Sequence, residues 1–192
     1  MRRRPASVEL LASLAKVLRA HEIRWYLFGA QAAVLYGSPR MTMDVDVTIA
    51  VPPQGIQPLV DALLEAGFDS RAENLGAFLA KTRVLPLFHR RTRMPLDLVI
   101  ARDALELAFL DRAQRVDIGR LKVPVITVED LVIAKLFAPR PRDLEDVRAV
   151  LATQSATIDL RYVRTLLGQL DEEDRAELLS TLERLLQDPD AE

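Results

Sequence analysis

The amino-acid sequence predicts an α+β core followed by a helical tail. Three observations carry this. Short apolar or alternating segments bounded by Gly and Pro fill the middle of the chain, at residues 25–28, 43–51, 83–89, 95–101, 116–118 and 121–126. Residues 8–21, ahead of them, repeat apolar side chains at helical spacing, and from Thr127 onward every apolar pattern is helical. Strands grouped in the middle with helices gathered at one end indicate α+β rather than an alternating α/β order.

Each element has its own reason. Leu10, Leu11, Leu14, Val17 and Leu18 give residues 8–21 one apolar face, with Ser7 as the expected N-cap. A strand at 25–28 ends at Gly29, and a short helix at 30–36 is stopped by Gly37-Ser38-Pro39. A buried strand at 43–51 carries two acids and is closed by Pro52-Pro53. A helix at 56–65 ends at Gly67. Residues 83–89 and 95–101 read as neighbouring strands joined by a basic turn at 89–93, followed by a short helix at 104–110. Residues 116–118 and 121–126 flank Gly119-Arg120 as a hairpin. Helices then follow at 128–137, 142–151, 160–170 and 174–186. The organisation expected is a core with its N-terminal helix over residues 1–126 and a helical region over 127–192 packed on it, with no internal repeat or low-complexity linker.

Composition removes several chemistries. Over 192 residues, 49% are hydrophobic and 28% charged, which is globular. There is no Cys, so disulfides, thiolate nucleophiles and Cys-ligated metals are excluded, and two His, His21 and His89, do not make a three-His metal site. Catalysis must run through carboxylates and the cations, of which only four are Lys and the rest Arg. The net charge of −2 hides an asymmetry. Residues 71–102 hold seven cations against Glu73 and Asp97, whereas residues 171–192 hold nine acids against Arg175 and Arg184. The basic stretch favours a polyanionic partner. No apolar run approaches the ~20 residues of a membrane span. The opening Met1-Arg2-Arg3-Arg4-Pro5 is followed by Glu9, Lys16 and Arg19 rather than an apolar stretch, so it reads as a mature cytoplasmic N-terminus.

The informative segment is 28–49, Phe28-Gly29-Ala30 through Arg40-Met41-Thr42-Met43-Asp44-Val45-Asp46 to Ile49. A strand ends in Gly, a helix starts at once, and a turn bearing Arg and Thr leads into a strand with Asp-x-Asp. Residues i and i+2 of a strand share a face, which would present Asp44 and Asp46 together. Asp97 in Met94-Pro95-Leu96-Asp97-Leu98 adds a third carboxylate on an apolar strand. Such acids are costly without a cation, and hard oxygen ligands suit Mg²⁺ or Mn²⁺ in a phosphoryl- or nucleotidyl-transfer site.

These residues resemble the nucleotidyltransferase superfamily with a DNA-polymerase-β-like core, and more closely its minimal and abortive-infection (AbiEii-type) toxin branches. Arg40-x-Thr42-x-Asp44-x-Asp46 matches, as do Glu129-Asp130-Leu131 with Lys135, and Arg140-Pro141-Arg142-Asp143-Leu144-Glu145-Asp146. The resemblance implies a small mixed β-sheet flanked by helices. It implies transfer of an NMP from an NTP to a hydroxyl of RNA, a protein or a small molecule, with a toxin–antitoxin or abortive-infection role. Asp44, Asp46 and Asp97 would hold Mg²⁺ (or Mn²⁺) and act in catalysis. Gly29 and Ala30 would meet the triphosphate at a helix start, Lys135 a phosphate, and Arg40 and Thr42 the nucleotide or the Asp-x-Asp strand. Arg140, Asp143 and Asp146 would support the site, with Asp143 and Asp146 meeting Arg40 or Lys135. The acceptor would be tRNA, a partner protein or a small molecule. The sequence sets neither the nucleotide nor the oligomeric state. One position departs from the pattern: Ala30 stands where the family carries Ser or Gly, which points to the alternative of an inactive nucleotide-, RNA- or protein-binding module.

Plainer readings stand beside these. The plainer reading of Asp44 and Asp46 is surface acids of an edge strand, and of Asp97 a solvated acid at a strand end. Lys135 reads as a boundary Lys extending its head to water. Asp143 and Asp146 read as part of an ion-pair network with Arg142 and Arg148. Trp25 reads as core rather than a stacking platform.

Overall fold

The computed structural model describes residues 5–137 and 139–187. The Arg-rich opening at 1–4 and the last residues of the acidic tail lie outside the described residues. Contacts divide the chain into two compact units. One comprises Met1–Gln31 and Thr42–Ile126, the other Ala32–Met41 and Thr127–Glu192.

The first unit is built on seven strands: β1 (Arg24–Phe28), β2 (Val45–Ala50), β3 (Phe68–Ser70), β4 (Val84–His89), β5 (Met94–Ile100), β6 (Gln114–Ile118) and β7 (Leu121–Val125). They form one mixed sheet in the order β3-β4-β5-β2-β1-β7-β6. The pairs β2–β5 and β1–β7 are parallel and the other neighbours antiparallel. Register aligns the apolar side chains across strands: Leu27 beside Val47, Val47 beside Leu98, Leu98 beside Leu85. All are essentially fully buried. Because side chains alternate, the intervening residues of β2 and β5, among them Asp46 and Asp97, fall on the opposite face.

Helices α1 (Ala6–Ala20) and α3 (Ile56–Glu65) pack on each other, with Leu10, Leu14, Leu18, Leu59 and Leu63 in the core. Burying each such side chain contributes ~1.5–3 kcal/mol. Helix α5 (Ala104–Arg112) contacts β1 and β2, and its N-cap Asp103 accepts from Glu106 N at 2.8 Å. Helix α1 begins ahead of Ser7. Pro5 is its N-cap, in an extended conformation, and Ser7 lies inside the first turn.

The sequence reading passed over β3 and helix α4 (Leu75–Thr82). β3 spans only Phe68–Ser70, and α4 buries no residue, so neither leaves a usable hydrophobic period. What defines α4 is its ends: Asn74 accepts from Ala77 N at 2.9 Å, and Arg83 adopts the left-handed conformation at φ 62°.

Helix α2 (Gly29–Leu35) starts in the first unit and ends in the second. The rest of the second unit is helical: α6 (Val128–Leu136), α7 (Pro141–Thr153), α8 (Leu160–Leu167) and α9 (Glu172–Gln187). α6 contacts α7, α8 and α9. Its interior holds polar groups as well as apolar ones. Thr127 caps α6 by accepting from Asp130 N at 3.2 Å, and the Tyr162 hydroxyl donates to the buried Asp130 carboxylate at 2.9 Å. Gly37, at φ 109°, admits no side chain, because a Cβ there would overlap Thr153.

Burial, reinforced by Glu129 and Asp130, raises the Tyr36 phenol from its ordinary 10.0 to about 12. The native state therefore holds this proton where the unfolded chain has lost it. Tyr36 thus contributes stability that is complete below pH 10.0 and falls as pH rises toward about 12. Urea unfolding across that window is expected to show a shallower alkaline loss of stability in Tyr36→Phe than in the wild type; parallel pH profiles would remove Tyr36 as the source.

Candidate active site

The site is assembled by sheet register. Phe28 of β1 lies beside Asp46 of β2, Asp46 beside Asp97 of β5, and Asp97 beside Pro86 of β4. Two residues far apart in sequence thus become cross-strand neighbours on one face of two parallel strands, about 4.8 Å apart. Asp44 differs from expectation. β2 begins at Val45, so Asp44 lies ahead of the strand, exposed, and the same-face argument covers Asp46 but not Asp44. Asp44 is held instead by its loop: Thr42 Oγ1 donates to its carboxylate, and Gln31 Nε2 to its carbonyl oxygen at 3.4 Å. Thr42 therefore positions the Asp44 end of the motif.

Gly29 ends β1 and opens α2 at φ 64°. A Cβ on Gly29 would stand 2.8 Å from the Asp46 Cγ and overlap its carboxylate. This glycine lets backbone and carboxylate meet, and no other residue combines that φ with that clearance. Ala30 follows, buried.

Asp97 accepts an ion-paired hydrogen bond from Arg71, a residue that sequence reasoning did not single out. Arg71 follows β3. Its backbone N–H donates to Pro86 O at 2.8 Å and its Nε to Leu87 O at 2.9 Å, which aims the guanidinium at Asp97. No local pattern signals this, since Arg71 reaches Asp97 only through the pairing of β3 with β4 and β4 with β5. Arg71 also borders an open groove of about 520 Å³ lined by Phe78 and Lys81.

Among the described residues, no three His, Asp or Glu side chains are grouped as a metal cluster. The donor chemistry nevertheless fits a hard divalent cation, because Asp46 and Asp97 are register neighbours with only carboxylate oxygens to offer.

In the second unit the motif residues converge on one buried carboxylate. Asp146 accepts from Ser38 Oγ at 2.7 Å and from Lys135 Nζ at 2.8 Å, with Arg40 Nη1 at 3.3 Å. Lys135 also donates to Asp143 at 2.7 Å. Lys135 thus meets both Asp143 and Asp146 and Arg40 meets Asp146, and among the described residues neither acid forms an ion pair with Arg142 or Arg148. Lys135 is buried and its ammonium is engaged, which replaces the snorkelling reading. Arg40 keeps 32% of its side chain exposed. Arg140 is the N-cap residue of α7, without a side-chain capping bond.

The basic stretch is largely compensated. Arg71 pairs with Asp97, Arg83 with Glu106, Arg90 with Asp69 and Arg91 with Glu9. Three of these acids lie outside residues 71–102, so the field expected from that window is reduced. Trp25 is half-buried and borders a cavity rather than lying wholly in the core.

Two expectations follow. Gly29→Ala is expected to lower stability by at least ~1–3 kcal/mol, from the left-handed backbone, with further loss from the displaced Asp46. A chemical-denaturation midpoint equal to wild type would show that the loop relaxes freely. Lys135→Met leaves the buried Asp146 without its nearest cation and is expected to cost ~3–5 kcal/mol. Lys135→Met/Asp146→Leu is expected to recover part of that loss in the same measurement.

The model of a family described as nucleotidyltransferase of unknown function (DUF6036) matches residues 8–180. Comparison with curated proteins gives no match. Among solved structures, an antigenic nucleotidyltransferase-like protein from Paracoccidioides brasiliensis is similar at TM-score 0.59 and 20% identity, over 93% of this chain and 86% of that one. ANT(2″)-Ia, in complex with adenylyl-2″-tobramycin, is similar at TM-score 0.57 and 16% identity, over 92% of this chain and 98% of that one. At these identities the solved structures show a shared fold. With the family model spanning most of its length, the chain belongs to this nucleotidyltransferase family of unknown function.

Proposed function

We propose that this protein is a divalent-metal-dependent nucleotidyltransferase that moves an NMP from an NTP to an acceptor hydroxyl. The observation that carries the reading is the cross-strand pair Asp46–Asp97 with Gly29 cleared against Asp46. Asp44, Asp46 and Asp97 are the residues that would hold Mg²⁺ or Mn²⁺. When bound, such an ion supplies Lewis-acid polarisation of the α-phosphate and stabilises the charge on the departing oxygens. The acceptor oxygen forms a bond to the α-phosphorus, the α–β phosphoanhydride bond breaks, and pyrophosphate leaves. Asp97 takes the hydroxyl proton at a carboxylate oxygen or serves as ligand. Thr42 fixes the approach to Asp44.

The groove beside Arg71 offers room for an acceptor next to Asp97. Compensation of the basic stretch favours a small molecule over RNA, and ANT(2″)-Ia in its complex with adenylyl-tobramycin supplies a small-molecule precedent on this fold. A protein acceptor, tRNA and a toxin–antitoxin role rest on the resemblance carried by the Arg40–Asp46, Glu129–Lys135 and Arg140–Asp146 patterns. No described helix is long and apolar enough to cross a membrane. We place the protein in the cytoplasm, where NTPs are available. Ala30, which lacks the hydroxyl of the family pattern, is the one feature favouring an inactive nucleotide-binding module.

Incubation with α-labelled NTPs, Mn²⁺ or Mg²⁺, and separate pools of RNA, protein and small hydroxyl compounds tests this. Label transfer is expected with wild type, abolished by chelation, and reduced about a hundredfold or more, ~2.7 kcal/mol in barrier, by Asp46→Asn. No difference between wild type and Asp46→Asn in any pool would overturn the enzymatic reading.

A further inference from the structure

Away from the candidate active site, the opposite end of β1 borders a cavity of about 360 Å³, lined by Arg19, Arg24, Arg115, Lys122, Glu22 and Trp25 over apolar side chains of α1, α5 and β7. That volume falls in the ordinary range of small-molecule pockets, ~300–1,000 Å³. The cavity lies at the Arg24 end of the strand, and Gly29 and Asp46 lie at the other, about 13 Å along it.

Its charge is out of keeping with the rest of the unit. Arg24 pairs with Asp111, as Arg71, Arg83, Arg90 and Arg91 pair with acids of their own. Arg19, Arg115 and Lys122 form no ion pair among the described residues, although Asp117 faces Lys122 across the hairpin. Three elements distant in sequence, the end of α1, β6 and β7, thus bring three cations outside any ion pair among the described residues to one concavity with a single lining acid, Glu22. Protection of an edge strand explains Arg115 on β6. It does not explain Arg19 on a helix or Lys122 on the inner strand. Trp25, half-buried, adds a planar apolar surface beside them. Cations beside an indole and an apolar floor recognise an anion that carries a planar body.

We propose that this cavity binds a nucleoside phosphate, free or at the end of an oligonucleotide, separately from the candidate active site. The phosphate meets Arg19, Arg115 and Lys122, and the base lies against Trp25.

Trp25 is the only Trp in the chain, so its emission reports on the site directly. Intact protein in EDTA is titrated with AMP, ATP, a 5′-phosphorylated oligoribonucleotide and inorganic phosphate. A saturable change is expected with at least one nucleotide. Its Kd is expected to rise at least tenfold in Arg115→Ala/Lys122→Ala and to be unchanged in Arg120→Ala, which removes a cation of the same hairpin outside the cavity. It is expected to be unchanged in Asp46→Asn, so the result stands apart from success or failure of label transfer. Saturation by AMP identifies a free nucleotide as ligand, and saturation by the oligonucleotide alone identifies a nucleic-acid end. No saturable change with any nucleotide, equal saturation by inorganic phosphate alone, an equal effect of Arg120→Ala, or loss of the signal in Asp46→Asn would each overturn the proposal. Equal melting temperatures of the variants confirm that the comparison is made between folded proteins.

Discussion

The contact between the backbone at Gly29 and the carboxylate of Asp46 is the constraint around which the first unit is arranged. A strand can run into a helix beside an acid on its neighbour only if the turning residue has no side chain and tolerates positive φ. Once β1 and β2 are locked at Phe28 beside Asp46, the parallel pairing of β2 with β5 puts Asp97 beside Asp46. A one-residue slip of β5 would turn Asp97 into the core and expose Leu96 and Leu98. Leu96 and Leu98 are fully buried, so the core sets the register that builds the site. The apolar face of the sheet is in this sense a positioning device for the acids on its other face.

The second unit solves a different problem. Burying Asp146 is costly unless its lone pairs are filled. Ser38, Lys135 and Arg40 fill them. Such a network is weak evidence for stability, because apolar replacement of a buried pair is often neutral. Its better-supported consequence is orientational. The Gly37-Ser38-Pro39-Arg40 turn is tied to α6 and α7 by a carboxylate with no exposed surface, which anchors Ser38 and one end of the Arg40 guanidinium.

The elements legible in the sequence were those with a strong period or strong punctuation. The apolar alternation of β2 and β5 and the stop at Gly37-Ser38-Pro39 are local signals with local causes. β3 and α4 were not legible, because one is three residues long and the other rests on its caps and not on a buried face. At the site, Gly29, Asp46 and Asp97 could be picked out because their neighbours are apolar and an acid there is conspicuous. Arg71 could not, since its meeting with Asp97 depends on two strand pairings and on backbone carbonyls of β4. The position of Asp44 was misjudged for a related reason. Strand alternation was extended to residue 43, two residues ahead of the point where β2 pairs with its neighbours.

Charge shows the limit of reading a window of sequence as a surface. Seven cations against two acids in residues 71–102 predict a strong positive field. An acid within hydrogen-bonding distance cancels most of a cation's field beyond a Debye length, ~8 Å at physiological salt. Asp69, Glu106 and Glu9 are within that distance of their Arg partners, all three from outside the window and Glu9 from far outside it in sequence. What matters for recognition is therefore the set of cations that folding leaves without an acid and gathers in one concavity. Arg19, Arg115 and Lys122, outside any ion pair among the described residues, come together in this way although no window of the sequence groups them. A linear charge count overstates a stretch whose cations are paired and misses a site whose cations come from three elements.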